Sequence, residues 1–161
     1  MCSKEIQVQI FDLKNHPEHI PQLAEWHHKE WARLNPGLGL QDRIEKMQAY
    51  IDDAFIPGMF IAKYEGQLVG SAAIVKHDME TNRELFPWLA SVYVVPEVRQ
   101  KGVGSKLIRY VMAQAREAGI ETLYLFTPNK ENFYKKFNWT ALSKESYHGE
   151  RVTVMKIELN T

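Results

Sequence analysis

The order of hydrophobic periodicities along the 161 residues predicts an α/β fold, an α/β sandwich around a mixed, mostly antiparallel sheet of about seven strands. About four helices complete it, in the order β-α-α-β-β-β-α-β-α-β-β. Three observations carry this expectation. Two helix-period stretches follow the first β-prone run with no strand between them. Two later β-prone runs are joined by only Glu65 and Gly66, which suits a tight antiparallel hairpin. Finally, a β-prone run, a helix and a second β-prone run follow one another over residues 88–127, the pattern of a parallel crossover.

Each element has its own signal. Ile6, Val8 and Ile10 alternate with Gln7 and Gln9, so the first strand has one buried face. Pro17 suits the first turn of a helix on which Ile20, Leu23, Ala24, His27, Trp31 and Leu34 share a stripe, and Asn35, Pro36 and Gly37 end it. Leu40, Ile44, Met47 and Ile51 recur at helical spacing in a second helix that stops before Pro57. Met59 to Tyr64 and Gln67 to His77 form the hairpin. Asp78 to Pro87 is a polar, mixed-charge loop, either a solvated connector or part of an acceptor site. The run Trp88 to Val95 stops at Pro96, which lacks an N–H for a ladder. A third helix places Val103, Leu107, Ile108, Val111, Met112 and Ala115 on one face and closes at Gly119. Thr122 to Thr127 is a short strand ended by Pro128. Asn129 to Phe137 reads as a short helix, and Trp139 to Leu142 and Val152 to Leu159 as two last strands, with Gly149 marking a turn or a loop of several residues between them.

Length and composition place residues 1–161 in one domain with a single substantial core. Lys plus Arg, 20 residues, balances Asp plus Glu, also 20, so no global field draws the chain to nucleic acid or an anionic membrane. The one cysteine, Cys2, allows no internal disulfide and favours a reducing compartment. No continuous apolar stretch among the first twenty residues reads as a secretory signal, and no later run approaches spanning length; a cytoplasmic location is expected. Four of the six histidines, His16, His19, His27 and His28, cluster in or just before the first helix. No cysteine or obvious carboxylate completes a ligand set, and no metal site is expected.

The chemistry concentrates after Pro96. Arg99, Gln100, Lys101, Gly102, Val103, Gly104 and Ser105 lead from the strand into the third helix. A helix start leaves its first N–H groups unpaired and carries partial positive charge. Two glycines at alternate positions remove the side chains that would hold a phosphate away, while Arg99, Lys101 and Lys106 add full charge, so the turn reads as a phosphate or pyrophosphate cradle. The dinucleotide fingerprint fails because Leu107 stands where its third glycine belongs. The Walker loop fails because the order is Gly104, Ser105, Lys106.

Arg99 with Gly102 and Gly104 at the third and fifth positions after it resembles motif A of the GNAT superfamily, the acetyl-coenzyme-A-dependent N-acyltransferases. At residues 132–139 the run NFYKKFNW is similar to the family's motif B, with Asn138 in place of the usual glycine; Asn is the next best residue for a left-handed backbone. The resemblance covers nearly the whole chain, including the element order, and implies acetyl-CoA as acyl-donor co-substrate. It implies that strands four and five splay apart around the cofactor, with backbone groups of Val92, Tyr93 and Val94 pairing with the pantetheine arm and an N–H of that strand, that of Val94, stabilising the oxyanion. Tyr134 holds the motif B tyrosine position and is the expected general acid, its phenol being basic enough to protonate a departing thiolate. Thr127 and Asn129 flank Pro128, as pantetheine contacts or as helix caps. The central strand carries no acid, which leaves Asp78, Glu84, His77 or a water as general base. In this superfamily the first helices and the loop before the central strand shape the acceptor pocket; here those helices carry Trp26, Trp31, Tyr50 and Phe55, as pocket wall or as core. Three functions stay open: N-acetylation of a small-molecule primary amine, the leading one; acetylation of a protein or peptide; and non-catalytic acyl-CoA sensing. A homodimer is one assembly the sequence allows.

Overall fold

The computed structural model describes residues 5–160. Cys2 lies outside them. One sheet of seven strands runs in the order β1-β2-β3-β4-β5-β7-β6, from β1 (Gln9–Asp12), β2 (Gly58–Tyr64), β3 (Gln67–Val75), β4 (Trp88–Val94) and β5 (Thr122–Thr127) to β6 (Thr140–Tyr147) and β7 (Glu150–Glu158). The helices are α1 (Ile20–Trp31), α2 (Leu40–Met47), α3 (Val103–Glu117) and α4 (Glu131–Lys135). All neighbouring strands are antiparallel except β4 and β5. The expected element order and fold class hold throughout.

Strand alternation makes the sandwich. Phe60, Ala62, Ala72 and Ile74 face α3, whose Val103, Leu107, Ile108 and Val111 lie in the same core, while Met59, Ile61 and Ala73 face the opposite way onto Leu23 and Ala24 of α1 and Met47 of α2. Each large aliphatic side chain so buried contributes roughly 1.5–3 kcal/mol relative to exposure. These two layers fix the start of α3 over the end of β4.

Three boundaries differ from expectation for local reasons. The first strand starts at Gln9 rather than Ile6, because the Ile6 N–H is spent on the Lys101 carbonyl at 3.1 Å, outside the sheet. The sixth strand begins at Thr140 and runs to Tyr147, and Tyr147 pairs directly with Glu150. His148 and Gly149 alone make that turn, both with positive φ (47° and 82°), the geometry that matches strand twist in a two-residue hairpin. Glu65 and Gly66 repeat it at 50° and 79°. The last helix is confined to Glu131–Lys135. No helix among the described residues is long and apolar enough to cross a membrane.

Candidate active site

β4 and β5 touch as ladder partners only at Trp88 and Tyr124, then separate. A bulge helps to drive them apart. On β3 one residue, Ala72, lies between Ser71 and Ala73, whereas on β4 both Ser91 and Val92 lie between their partners Tyr93 and Ala90. Ser91 takes φ of 52°, a left-handed conformation that costs a non-glycine residue energy and must be held by its surroundings.

What holds it is a buried relay. The Ser71 hydroxyl donates to the Ser91 carbonyl at 2.9 Å, so its oxygen is left to accept, and the only tautomer that suits is His27 with its proton on Nε2, 2.9 Å away. His27 is 1% exposed, and burial, with Arg43 adding to it, holds the imidazole down to about 3, so it stays neutral. The Tyr93 ring stacks on Trp26 and meets Trp31 edge-on, which ties α1 to the same stretch of β4. Gly70 is needed opposite: a Cβ there would stand 2.7 Å from the Tyr93 carbonyl oxygen. The α1 histidine thus serves the strand. Among the described residues no group of His, Cys, Asp or Glu is placed to hold a metal ion.

The space opened by the bulge has two lobes that share Asn35, Arg43, Asp78, Ala90 and Ser91. The first, about 250 Å³, lies between β4 and β5 and is walled by Val92, Thr127, Asn129, Trp31 and Tyr134. Tyr134 is 8% exposed, and no described residue is hydrogen-bonded to its hydroxyl; burial, reinforced by the charge of Asp78, pushes its ionisation well above that of a free phenol. Thr127 Oγ1 accepts from the Lys130 N–H at 3.0 Å, so Thr127 is the turn cap, while Asn129 lines the lobe.

The glycine turn lies beyond the far end of β4. Gly102 takes φ of 86° and caps α3 without a side-chain bond. Among the described residues none accepts from the N–H groups of Gln100, Lys101, Gly102, Val103, Gly104 or Ser105. Gln100 also has positive φ, 63°. These turns leave a row of donors at a helix start that no described residue accepts from, which fits an anionic phosphate group. The N–H of Val95 donates to Val69 on β3, so by alternation the N–H of Val94 points away from β3, to the β5 side. Val94 itself lies nearer the turn than the lobe that Tyr134 shares with Val92. Arg99 folds back: its Nε donates to the Val94 carbonyl at 2.8 Å, and its Nη2 lies 3.9 Å from Glu30. It braces the strand end. Glu5 lays its side chain against the turn, with Cγ 3.1 Å from where a Gly102 Cβ would be.

The second lobe, about 320 Å³, opens against α2 and the segment after β3. Asp78 stands at its junction with the first, where burial pushes the carboxyl up to about 7 against the pull of Arg43. His77 lines only the second lobe, and Glu84 lines neither. Of the aromatic residues in the first helices, Trp31 and Tyr50 are pocket wall, while Trp26 and Phe55 pack against the core. Sequence reasoning missed the roles of His27, Ser71, Ser91 and Arg43. A histidine on the apolar stripe of α1 was their one visible signal.

Known proteins resemble this chain in sequence and in fold. The profile of the acetyltransferase (GNAT) family matches residues 20–139. An uncharacterized N-acetyltransferase of Chlorobaculum tepidum is 27% identical over 69% of this chain and 64% of its own length. An aminoglycoside N(6')-acetyltransferase type 1 of Stenotrophomonas maltophilia is 32% identical over 58% of this chain and 64% of its own. The chain therefore spans less than two thirds of either curated relative. The crystal structure of an aminoglycoside 6'-N-acetyltransferase complexed with coenzyme A superposes with a TM-score of 0.71, at 16% identity, over 97% of this chain and 98% of that one. With the family profile matched across three quarters of its length and the same fold, this chain belongs to the GNAT acetyltransferase family.

Proposed function

We propose that the protein is an N-acetyltransferase, a single domain over residues 1–161, that moves an acetyl group from acetyl-CoA to a primary amine of a small molecule. The observation that carries this reading is the wedge between β4 and β5, with amides beyond one end and a phenol at the other that have no hydrogen-bond partner among the described residues, and a carboxyl of raised pKa beside the phenol. Acetyl-CoA would supply the activated thioester. The chain's own groups do the rest.

The amides of residues 100–105 bind phosphate oxygens, aided by the dipole of α3. On β4, the N–H groups of Val92 and Val94 provide the donors for negative charge developing on the carbonyl oxygen, and the His27–Ser71 relay keeps that stretch in its bulged form. Asp78 takes a proton from the acceptor's ammonium; burial, against the pull of Arg43, raises its carboxyl to about 7, which makes it a stronger base than a free aspartate. Tyr134 keeps its proton across the working pH range and gives it to the departing sulfur, and the proton that the acylated nitrogen sheds as the amide forms restores the phenol. A cytoplasmic location agrees with the sequence's one cysteine. The small-molecule reading is favoured over a protein acceptor by the two joined lobes, which are recesses rather than a flat face.

The test is release of free coenzyme A thiol from acetyl-CoA with a panel of amines and peptides, alongside calorimetric titration of coenzyme A. Amine-dependent thiol release, lost in Tyr134→Phe, supports the proposal. Tight coenzyme A binding with no turnover on any amine makes the protein a sensor instead.

A further inference from the structure

The second lobe contains a charge that the fold itself does not explain. Arg43 lies on α2, half-buried, at the wall common to both lobes. Its Nε and Nη2 are cut off from solvent and have no hydrogen-bond partner among the described residues. Burial disfavours its charged form, which Asp78 and Tyr50 only partly offset. A guanidinium stripped of water on two nitrogens and given no acceptor in exchange is costly to keep, and folded proteins rarely keep one without use. Asp78 is close enough for each charge to shift the other's ionisation, yet no ion pair joins them. A cation and a carboxyl thus face one cavity without neutralising each other.

Resting on the acetyltransferase reading, we propose that the acceptor is a carboxylate-bearing primary amine, of the amino-acid class, whose carboxylate is taken by Arg43 while its amino group is presented to Asp78. A guanidinium fork matches a carboxylate's two oxygens, and such pairs are among the strongest hydrogen-bonded contacts. The opposed pair separates the two ends of a zwitterion: the ammonium meets the carboxyl at the lobe junction, next to Tyr134, and the acid end meets the cation. The rest of the lobe agrees. Lys46 and Arg83 line it and form no ion pair among the described residues, whereas Glu80, the other acid there, is 3.3 Å from His148. Its cations outnumber its acids three to two, which leans this lobe toward a ligand with an anionic end.

The experiment pairs amines that differ only at the carboxylate: an amino acid, its carboxamide and the decarboxylated amine, with neutral, acidic and basic side chains and an aminoglycoside included. With wild-type protein and acetyl-CoA, the free amino acids are expected to exceed their decarboxylated partners by at least about 100-fold in kcat/KM. In Arg43→Met that preference should vanish through a raised KM for the amino acid, while kcat near neutral pH falls for both partners alike, because Asp78 without the guanidinium holds its proton to higher pH; Arg43→Lys should restore part of the preference. Since the mutation removes an uncompensated charge, Arg43→Met is expected to fold and to melt no lower than wild type. Equal use of the paired amines, preference for the aminoglycoside, or a carboxylate preference that survives Arg43→Met overturns the inference while leaving the acetyltransferase reading intact. If no amine turns over, that reading fails by itself. Carboxylate recognition is then read directly by calorimetry of the amino acid and its decarboxylated partner with the protein–coenzyme A complex, wild type against Arg43→Met.

Discussion

The two lobes that meet at Ser91 are made of different material. The one between β4 and β5 owes its shape to backbone: a bulge, a parted ladder, and beyond it a turn with six amides that find no acceptor among the described residues. The one against α2 owes its character to side chains, Arg43, Lys46, Asp78, Glu80 and Arg83. Backbone donors can be changed only by refolding the segment that holds them, so they suit a ligand that never varies. Side chains on a helix and a loop can be exchanged singly while the sheet stays as it is, so they suit a ligand that differs between relatives. On the proposed function the first lobe takes the acyl donor, and the choice of acceptor falls to the second.

The largest expected effect tests the division where the lobes join. Tyr134→Phe should lower kcat on the order of 10²–10⁴-fold, the usual worth of a positioned acid, while coenzyme A affinity stays unchanged. A variant with unimpaired turnover would remove the phenol from the chemistry. Asp78→Asn comes next, roughly 10²-fold in kcat/KM, with a pH signature. Below about 7 the carboxyl is protonated and cannot accept a proton, so wild-type activity should climb as pH rises through that value. In the Asn variant the climb should be absent. Because the folded protein holds this proton to higher pH than the unfolded chain, Asp78 also subtracts stability as pH rises from about 4 to about 7, and the variant should be the more stable at pH 8.

The sequence disclosed the first lobe far better than the second. Its glycines, the stop at Pro96 and the tyrosine of NFYKKFNW announce themselves because turns, strand ends and helix starts obey local rules. Even so, the contact of Arg99 Nε with the Val94 carbonyl had no sequence signal, since a long side chain at a strand end chooses among acceptors that only the fold assembles. The bulge left no mark: Ser91 sits in an unbroken β-prone run, and its left-handed φ depends on Ser71, 20 residues away, and His27, a further 44 residues from Ser71. Arg43 reads in sequence as one more polar residue on an amphipathic helix. That it is shut from solvent follows from tertiary packing and from no local pattern.

The backbone-built lobe can be strained directly. Gly102→Ala forces a Cβ into a left-handed position, about 1–2 kcal/mol for an L-residue, and pushes it against Glu5. Coenzyme A binding should weaken about tenfold, with the acceptor KM unaffected. An equal loss on both substrates would mean that the lobes are not separate. Ser71→Ala is milder: without its hydroxyl the Ser91 carbonyl and His27 lose their partner, and kcat should fall several-fold at unchanged coenzyme A affinity. His27 gives the same relay an acid limit. Its folded-state ionisation, down to about 3, lies below the ordinary 6.5, so its contribution to stability is complete above 6.5 and is lost as pH falls toward 3, with a slope of up to ~1.4 kcal/mol per pH unit. His27→Gln should flatten that slope in chemical denaturation.

The smallest effect concerns the one acid found where an anion is expected. Glu5 rests against Gly102, beside amides whose role is to attract negative charge, so its carboxylate opposes the ligand that the turn would hold. Removing the charge and keeping the shape, as in Glu5→Gln, should tighten coenzyme A binding about two- to threefold at low ionic strength. The gain should fade near 0.5 M salt, since exposed charges are screened over a few ångströms there. Desphospho ligands without the diphosphate, such as pantetheine, should show no difference between the two proteins. A gain that persists in high salt, or one shared by pantetheine, would mean that Glu5 acts by filling space and not by charge, and would move the anion away from Gly102.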